Sequence, residues 1–400
     1  MSVYLDHAAT TPMPAEIRDT YAQALARVGN PSSIHQAGQD ARAHLESARA
    51  EIAGLLGLDP MELIFTSGGT ESTNTWIKGR TFAMRQAGID TPVWVSTAAE
   101  HHATLDALQW LETHGLARTH WVDVDRWGVC DLGSLEAALD AYPAADIAGV
   151  TTLVGNNEVG SIQPVEHIAA LAASRGVSVH LDAIQAFGHR ELPLRQWGVH
   201  AVSLSAHKIG GPVGIGGLVV TRNAPAIEGL HHGGGQQLHR SGTLDAAGAV
   251  AFARAAQFAE STRVQREARL AELSVRLRDG LVATADGVHP SGHPTERLDH
   301  IVHVTVEGVE GDVLLYLLDA QGIRVSTGSA CQAGVPEPSH VLLAMGFSED
   351  AARGALRFSV GFETTEAEID RVLGIFADVV SSAREAGMAG SAGSIGALAQ

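Results

Sequence analysis

The sequence predicts an α/β fold in which a mostly parallel β-sheet is covered by helices on both faces, with a smaller α+β domain after it. Short apolar runs rich in β-branched residues alternate with longer segments of helical spacing, and such alternation indicates βαβ units. The strand-like runs are 63–66, 93–96, 148–154, 177–181, 201–205 and 215–220. The helical segments between them are 71–86, 101–114, 132–141 and 165–175.

The pattern changes after a long helical stretch at 246–283, which ends the first unit. The elements that follow are a strand at 301–306, a helix at 312–321, a Gly/Ser/Pro-rich loop, a strand at 356–360 and a closing helix at 366–382. We therefore predict a large domain at 13–260 and a small domain formed by 1–12 and 261–385. The segment 386–400 is rich in Gly, Ala and Ser and carries no charge, which predicts a flexible tail.

Composition limits the class of protein. Of the 400 residues, 45% are hydrophobic and 18% are charged, which is enough for large cores in two or three domains. Two cysteines and an N-terminus without a signal sequence predict a reducing, cytoplasmic location. No apolar run is long enough to cross a membrane. The formal net charge of −18 disfavours direct nucleic-acid binding, because phosphate contacts need a basic surface.

The first chemically informative motif is IFTSGGTESTN at 64–74. A strand runs into a Gly-Gly turn, after which Thr70 and Glu71 begin a helix. Backbone N–H groups at the start of a helix form an anion site that suits a phosphate. An ordinary strand–turn–helix connection uses the same residue types, so this motif alone leaves both interpretations open.

The second motif, VHAVSLSAHKIGGPVGIGG at 199–217, delivers Ser205, His207 and Lys208 from a strand into a glycine-rich loop. A lysine at the end of a buried strand indicates a desolvated amine able to form a Schiff base with a carbonyl cofactor. A lysine that simply sits on a loop is the simpler interpretation of this motif by itself. Ser205 and His207 flank the lysine with donors for a cofactor phosphate.

The third motif, SVHLDAIQ at 178–185, ends an apolar strand at Asp182 and places Gln185 one short turn later. A carboxylate at the carboxyl end of a parallel strand lies where ligands bind in open α/β sheets. An Asp that faces a pyridinium nitrogen keeps that nitrogen protonated, so that the ring accepts electrons. A helix N-cap is an equally common role for such an Asp.

Taken together, ten ordered motifs resemble the cysteine desulfurases, which are class V aminotransferase-like enzymes of pyridoxal-phosphate fold type I. The resemblance covers about residues 3–382. The motifs are YLDHAATTP, NPSSIHQAG, IFTSGGTES, AEHHA, GNNEVGSIQP, HLDAIQ, SAHK, GGGQQLHRSGT, STGSAC and RFSVG. The last motifs resemble the NifS/IscS-like branch. The resemblance implies a seven-stranded sheet in the large domain, pyridoxal 5'-phosphate as cofactor and L-cysteine as substrate, and no metal site is expected.

The resemblance also implies roles for residues around the cofactor ring. Lys208 would hold the cofactor as a Schiff base, and Asp182 would pair with the pyridine nitrogen. His101 would stack on the ring face and carry protons during catalysis. Gln185 would contact the ring hydroxyl.

Other residues would bind the substrate and the phosphate. Arg357 would bind the substrate carboxylate through its planar fork, and Asn157 would support the substrate or the ring hydroxyl. Thr243 would reach the phosphate of the second subunit in a homodimer. The remaining phosphate ligands implied by the family are Gly69, Thr70, Ser205 and His207.

Only two cysteines are candidates for a nucleophile. Cys130 lies between a strand and a helix and is typical of a small buried apolar residue. Cys331 lies in a loop of small and turn residues. By resemblance it takes sulfur from L-cysteine as a persulfide and passes it to an acceptor protein. An iron–sulfur scaffold, a tRNA-thiolation enzyme and the thiamine or molybdopterin pathways are alternative destinations.

Four positions depart from the commonest family pattern, and two rival functions remain. The departures are His7, Gly69, Ile184 and Gln237, of which Gln237 loses a charge near the dimer-side phosphate segment. A selenocysteine lyase or sulfide-releasing C–S lyase on the same scaffold is disfavoured by the cysteine at 331. A non-catalytic assembly subunit is disfavoured because it would not require a lysine, an aspartate and a cysteine of these motifs together.

Overall fold

The structure is a computed structural model that describes residues 2–328 and 337–397, with side chains up to 386. The strands are β1 (Val3–Tyr4), β2 (Leu63–Thr66), β3 (Val93–Thr97), β4 (Arg118–Val122), β5 (Ile147–Leu153), β6 (Val179–Asp182), β7 (Ala201–Ser205), β8 (Gly216–Val220), β9 (Val288–Pro290), β10 (Ile301–Val306), β11 (Ile323–Arg324) and β12 (Ala355–Ser359).

The helices alternate with these strands along the first two thirds of the chain. They are α1 (Ala15–Leu25), α2 (Gln36–Leu55), α3 (Gly69–Gln86), α4 (His102–Thr113), α5 (Leu132–Asp140), α6 (Val165–Ser174), α7 (Leu194–Trp197), α8 (Ala246–Ser261), α9 (Arg263–Thr284), α10 (Gly311–Ala320), α11 (His340–Ala344), α12 (Glu349–Arg353) and α13 (Glu366–Ala397).

Seven strands form the central sheet, in the order β2-β8-β7-β6-β5-β3-β4. The five strands from β7 to β4 run parallel, whereas β8 is antiparallel to both of its neighbours. Apolar clusters that include residues of the central strands pack around the sheet. The mostly parallel seven-stranded sheet expected from the sequence is therefore confirmed, and its parallel strands end together at one edge.

Strand β4 has no counterpart among the strand-like runs found in the sequence. It lies at the edge of the sheet and pairs with β3 alone. Its sequence, RTHWV, is mostly half-buried or exposed, so the apolar run that marks a central strand is missing. Edge strands with charged residues are common because they resist pairing with other chains.

The helical stretch predicted at 246–283 is two helices. Helix α8 ends at Thr262, whose hydroxyl donates to the carbonyl oxygen of Phe258 at 2.7 Å. The backbone N–H of Thr262 also donates to this carbonyl oxygen at 3.2 Å, so the hydroxyl adds a second bond at the end of the helix. Helix α8 packs in the core around the large sheet, whereas α9 belongs to a second core.

The second core contains a three-stranded antiparallel sheet, β12-β10-β9, and the parallel pair β1-β11. Because β1 pairs with β11, the first residues of the chain pack with its last third. This core draws on α9, α10 and α13 as well as the strands. The domain boundaries given above stay predictions, although the split between α8 and α9 lies beside residue 260.

Helix α13 extends beyond the closing helix expected at 366–382. Its backbone is helical to Ala397, across most of the segment predicted as a flexible tail. The alanines of this segment favour a helix, since alanine is the best helix former. The regular backbone differs from the expectation, and the flexibility of the segment stays a prediction. Within the described part of the chain, no helix has the length and apolarity needed to cross a bilayer.

Candidate active site

A cavity of about 340 Å³ lies where the carboxyl ends of the parallel strands meet the second core. In open α/β sheets this edge is where ligands bind. Ten residues predicted from the sequence line the cavity, namely Gly69, Thr70, His101, Asn157, Asp182, Gln185, Ser205, His207, Lys208 and Arg357. The other lining residues are Ala8, Ala9, Leu153, Ile184, Ser326 and Gly328.

Lys208 is held at the cavity by main-chain oxygens. Its Nζ donates to the carbonyl oxygens of Ala8 at 2.6 Å and Ala9 at 2.9 Å. Burial, and then the nearby Arg357 cation, lowers the pKa of the Lys208 amine to about 8, against the opposing effect of Asp6 and Asp182. The neutral amine is therefore accessible near physiological pH, and a neutral amine is the form that attacks a carbonyl.

Asp182 ends β6 with its side chain almost completely buried. The backbone N–H of Ile184 donates to its carboxylate at 3.0 Å. Burial raises the pKa of the Asp182 carboxyl to about 6, even though this hydrogen bond and Lys208 lower it. The hydrogen bond and Lys208 offset only part of the cost of burying the negative charge of Asp182. Such a carboxylate favours a cationic N–H donor on a bound ligand.

His101 is the N-cap of α4, and its Nδ1 accepts from the backbone N–H of Ala103 at 3.0 Å. This bond fixes the ring at the cavity wall and leaves Nε2 as the protonated nitrogen of the neutral ring. Burial, followed by Lys208 and two neighbouring histidines, lowers the pKa of His101 to about 4. His101 is therefore neutral at physiological pH, and its stacking on a cofactor ring stays a prediction.

The start of α3 forms one end of the cavity. Gly68 precedes the helix with a φ of 154°, which lets the chain turn from β2 directly into the helix. Gly68 has no side chain to cap the first N–H groups of α3, and Gly69 and Thr70 line the cavity at this helix start. Ser205 and His207 approach the same space from the end of β7.

Arg357 and Asn157 lie at the other end of the cavity. The Arg357 guanidinium donates to Asp6 Oδ1 at 2.9 Å and to the carbonyl oxygen of Asn157 at 2.8 Å. Its Nε and the Oδ1 of Asn157 are buried and have no hydrogen-bond partner among the described residues. These atoms are a donor and an acceptor that a bound molecule can satisfy.

Gln185 is engaged with protein atoms. Its amide donates to the carbonyl oxygen of Ala8 at 2.8 Å, and its Oε1 lies 3.4 Å from Nε2 of His300. His300 is stacked on His189 with ring centroids 4.0 Å apart. Gln185 thus lines the cavity but is held by neighbours on two sides, and its contact with a ring hydroxyl stays a prediction.

Two departures from the family pattern lie against each other. A Cβ placed on Gly69 would overlap Cδ1 of Ile184. The larger side chain at 184 therefore occupies the space that a side chain at 69 would need. Glycine at 69 and isoleucine at 184 form a complementary pair in the cavity wall, a relation that the sequence alone does not reveal.

Gln237 also has a structural explanation. Its Oε1 accepts from the backbone N–H of Phe65 at 3.1 Å, and its Nε2 donates to the carbonyl oxygen of Phe65 at 2.5 Å. Phe65 belongs to β2, which is an edge strand. An amide satisfies both groups of an open strand edge, whereas a carboxylate cannot donate to the carbonyl.

Three candidates lie apart from the cavity or outside the described chain. Thr243 lines a different cavity, together with residues of α1 and α2. Cys331 lies outside the described residues. Cys130 is a buried free cysteine, and burial raises the pKa of its thiol to about 12, so it is a poor source of thiolate. This environment agrees with the interpretation of Cys130 as a small buried apolar residue.

Sequence reasoning missed three acidic residues beside the cavity, which are Asp6, Glu100 and Glu158. Glu100 is buried, and its Oε1 accepts from the backbone N–H of Leu153 at 3.2 Å. Burial raises the pKa of the Glu100 carboxyl to about 8. All three lie inside the motifs YLDHAATTP, AEHHA and GNNEVGSIQP. The acidic residues of these motifs are the signal by which the sequence could have identified them.

Comparison with known proteins agrees with this geometry. Residues 3–372 match the family model of the class-V aminotransferases. The chain is 43% identical over 392 residues to an IscS-like cysteine desulfurase of Mycobacterium tuberculosis, covering 98% of this chain and 99% of that one. It is 37% identical to the cysteine desulfurase IscS of Methanosarcina thermophila, over 96% of this chain and 93% of the other.

Solved structures give the same result. A NifS-like protein superposes with a TM-score of 0.86 at 32% identity, covering 95% of this chain and all of the other. DndA from Streptomyces lividans superposes with a TM-score of 0.74 at 32% identity, covering 89% and 99% of the two chains. The chain therefore belongs to the class-V aminotransferase family, in the branch of the IscS- and NifS-like cysteine desulfurases.

Proposed function

We propose that this enzyme uses pyridoxal 5'-phosphate to convert L-cysteine into L-alanine, while the sulfur atom moves to Cys331 as a persulfide. The observation that carries the proposal is that the partly buried Lys208 and the buried Asp182 line one cavity. The pKa of the amine is lowered and that of the carboxyl is raised, each chiefly by burial. Opposite shifts in one site are typical of groups tuned for chemistry rather than for stability.

The residues present fit the cofactor. The open helix start at Gly69 and Thr70, with Ser205 and His207, suits a phosphate, and Asp182 suits a pyridinium nitrogen. The unpartnered Oδ1 of Asn157 suits a ring hydroxyl. When bound, pyridoxal phosphate supplies a ring that takes up electrons from the substrate α-carbon. Thr243, as a phosphate ligand across a homodimer interface, belongs to this proposal.

Arg357 orients the substrate. Its guanidinium already donates to Asp6 and Asn157, and among the residues that the structure describes the buried Nε has no partner. A substrate carboxylate would accept from this cation, and a planar fork fixes the orientation of a carboxylate. Arg357 and Lys208 line the same cavity, so a substrate held by its carboxylate at Arg357 can present its α-carbon to Lys208.

Lys208 and His101 handle protons. The amine of Lys208, with its pKa lowered to about 8, accepts the α-proton once it is released from its covalent role. The neutral ring of His101 lies at the cavity wall. Its Nε2–H can donate to the substrate where the sulfur leaves. Because its pKa is lowered to about 8, the Lys208 amine changes protonation state near neutral pH at little free-energy cost, whereas the low pKa of His101 keeps its ring neutral there.

The sulfur step needs a nucleophile that reaches the cavity. Gly328 lines the cavity and precedes Cys331 by three residues, a stretch that spans at most about 10 Å. The thiolate attacks the substrate sulfur, the C–S bond breaks, and a proton replaces sulfur on the β-carbon. L-Cysteine and the thiol thus give L-alanine and a persulfide, with no external oxidant. An acceptor protein, either an iron–sulfur scaffold or a tRNA-thiolation enzyme, then takes the sulfur in the cytoplasm.

The two lysines of the chain, Lys78 and Lys208, allow a matched experiment. We expect Lys208→Ala to lose the visible absorbance of covalently held pyridoxal phosphate and to lower alanine formation by about 10³-fold or more. Lys78 of α3, which lies over the ring of Trp110 of α4, is the control. Lys78→Ala should keep both signals. Normal turnover by Lys208→Ala would refute the assignment.

A further inference from the structure

The residues on both sides of segment 329–336 contact one buried carboxylate, Glu158. Ser339 donates its hydroxyl to Glu158 Oε2 at 2.5 Å, and both side chains are 1% exposed. On the other side, a Cβ built on Gly328 would lie 3.5 Å from Cγ and Oε2 of Glu158. The two flanks of the stretch that carries Cys331 therefore lie against the same side chain.

Glu158 is fixed at the edge of the cavity by the turn that contains Asn157. The backbone N–H groups of Glu158 and Val159 both donate to Oδ1 of Asn156, at 2.8 and 3.0 Å. The carbonyl oxygen of Asn157 accepts from Arg357. The backbone of Glu158 is thus held in the same turn that accepts from Arg357, and Ser339 holds its carboxylate.

His340 connects the same flank to the His101 side of the cavity. Its Nε2 lies 2.8 Å from the carbonyl oxygen of Glu100, so this nitrogen is the donor. Its ring also packs edge-on against His102, with centroids 4.6 Å apart. Glu100 and His102 flank His101 in the sequence, so the contacts of His340 tie the chain after 336 to the segment that positions His101.

We propose that Glu158, Ser339 and His340 form an anchor that positions Cys331 for attack on the substrate sulfur. The inference rests on the proposed role of Cys331. Fixing the ends of a short connecting segment restricts the volume that its middle samples, and this raises the effective concentration of the nucleophile at the cavity. Glu158 and Ser339 are therefore positioning residues: they act through Cys331 and do not touch the reacting atoms.

Ser339→Ala tests the anchor, and Ser348→Ala is its matched control. Ser339 is the N-cap of α11 and accepts from Leu342, while Ser348 caps α12 by accepting from Ala351. Both variants lose a helix cap, but only Ser339→Ala loses the bond to Glu158. We expect Ser339→Ala to lower kcat for alanine by about 10- to 100-fold, with KM for L-cysteine and the absorbance change on adding L-cysteine nearly unchanged. Ser348→Ala should retain the parental kcat.

A second variant separates the bond from the fold. Glu158→Gln weakens the acceptor of the Ser339 hydroxyl and should also lower kcat. The double variant should be no slower than Ser339→Ala, because both changes remove the same interaction. The inference is wrong if Ser339→Ala matches Ser348→Ala, if the two effects multiply, or if the absorbance change is lost together with turnover. If Cys331→Ser leaves persulfide formation intact, the proposed function itself fails, whatever the anchor variants do.

Discussion

Lys208 and Arg357, the two cations of the cavity, are held in different ways. Lys208 donates to two main-chain carbonyl oxygens, and no carboxylate within the described chain lies at ion-pair distance from it. Arg357 is paired with Asp6 at 2.9 Å. The amine is thereby made easy to deprotonate, whereas the guanidinium stays charged. This difference supports the proposal that Lys208 serves covalent chemistry and that Arg357 binds an anion.

The difference follows from the elements that carry the two residues. Lys208 comes just after β7, a strand buried in the middle of the large sheet. Arg357 is in β12 of the second core, next to the N-terminal residues that supply Asp6. Burial without a counter-ion lowers a lysine pKa, while a nearby carboxylate opposes that shift. The position of each cation in the fold therefore sets its chemistry.

Of the effects that this comparison predicts, the largest should be the pH dependence of the reaction of the Lys208 amine with the cofactor. Since the pKa of the Lys208 amine is lowered to about 8, its neutral fraction rises about tenfold per pH unit below pH 8 and levels off above it. The rate at which the cofactor-free protein takes up pyridoxal phosphate covalently, followed by absorbance, should show this profile. An ordinary lysine would give a rate that still rises above pH 9.

Asp6→Asn sharpens the same measurement. The Asp6 carboxylate raises the pKa of Lys208 against the effects of burial and Arg357. Removing that charge lowers the pKa further, so the plateau should begin at a lower pH than in the parent. A plateau that moves to higher pH would contradict the account of how the amine is tuned.

A smaller effect should come from Gly69 and Ile184. Gly69→Ala places a methyl group on Ile184 and should lower the free energy of unfolding in urea by about 1–3 kcal/mol. The control is Gly54→Ala, at an exposed helical position with open space around it, which should raise stability by about 0.5–1 kcal/mol. The complementary pair predicts a coupling of at least about 0.5 kcal/mol between Gly69→Ala and Ile184→Ala. Additive effects would refute it.

Much of this architecture is predictable from local sequence patterns. The strands β2, β7 and β10 begin and end where the sequence places them, because their apolar runs are bounded by turn residues. The edge strand β4 is not predicted in this way, because a strand with one neighbour needs no apolar run. The break at Thr262 is not predicted because no Pro or Gly lies between the two helices to mark it.

The residues of the site likewise divide into those that the sequence predicts and those that it does not. Lys208 and Asp182 are predictable because motifs place them at strand ends that share one edge of the sheet, whereas His101 is indicated only by the family resemblance. Glu158 and Asp6 are not predictable, since their roles depend on contacts with residues about 180 and 350 positions away in the sequence. The fit between Gly69 and Ile184 likewise depends on a tertiary distance.

Cys331→Ser, compared with Cys130→Ser, tests the central claim most directly. Each variant is mixed with L-cysteine, the absorbance is followed, alanine is quantified, and persulfide is trapped by alkylation and located by mass. Cys331→Ser should keep the cofactor and its absorbance change, form no persulfide, and make alanine orders of magnitude more slowly, because a hydroxyl is a poor nucleophile toward sulfur. Cys130→Ser should behave like the parent. A persulfide on Cys130, or parental alanine formation by Cys331→Ser, would contradict the account.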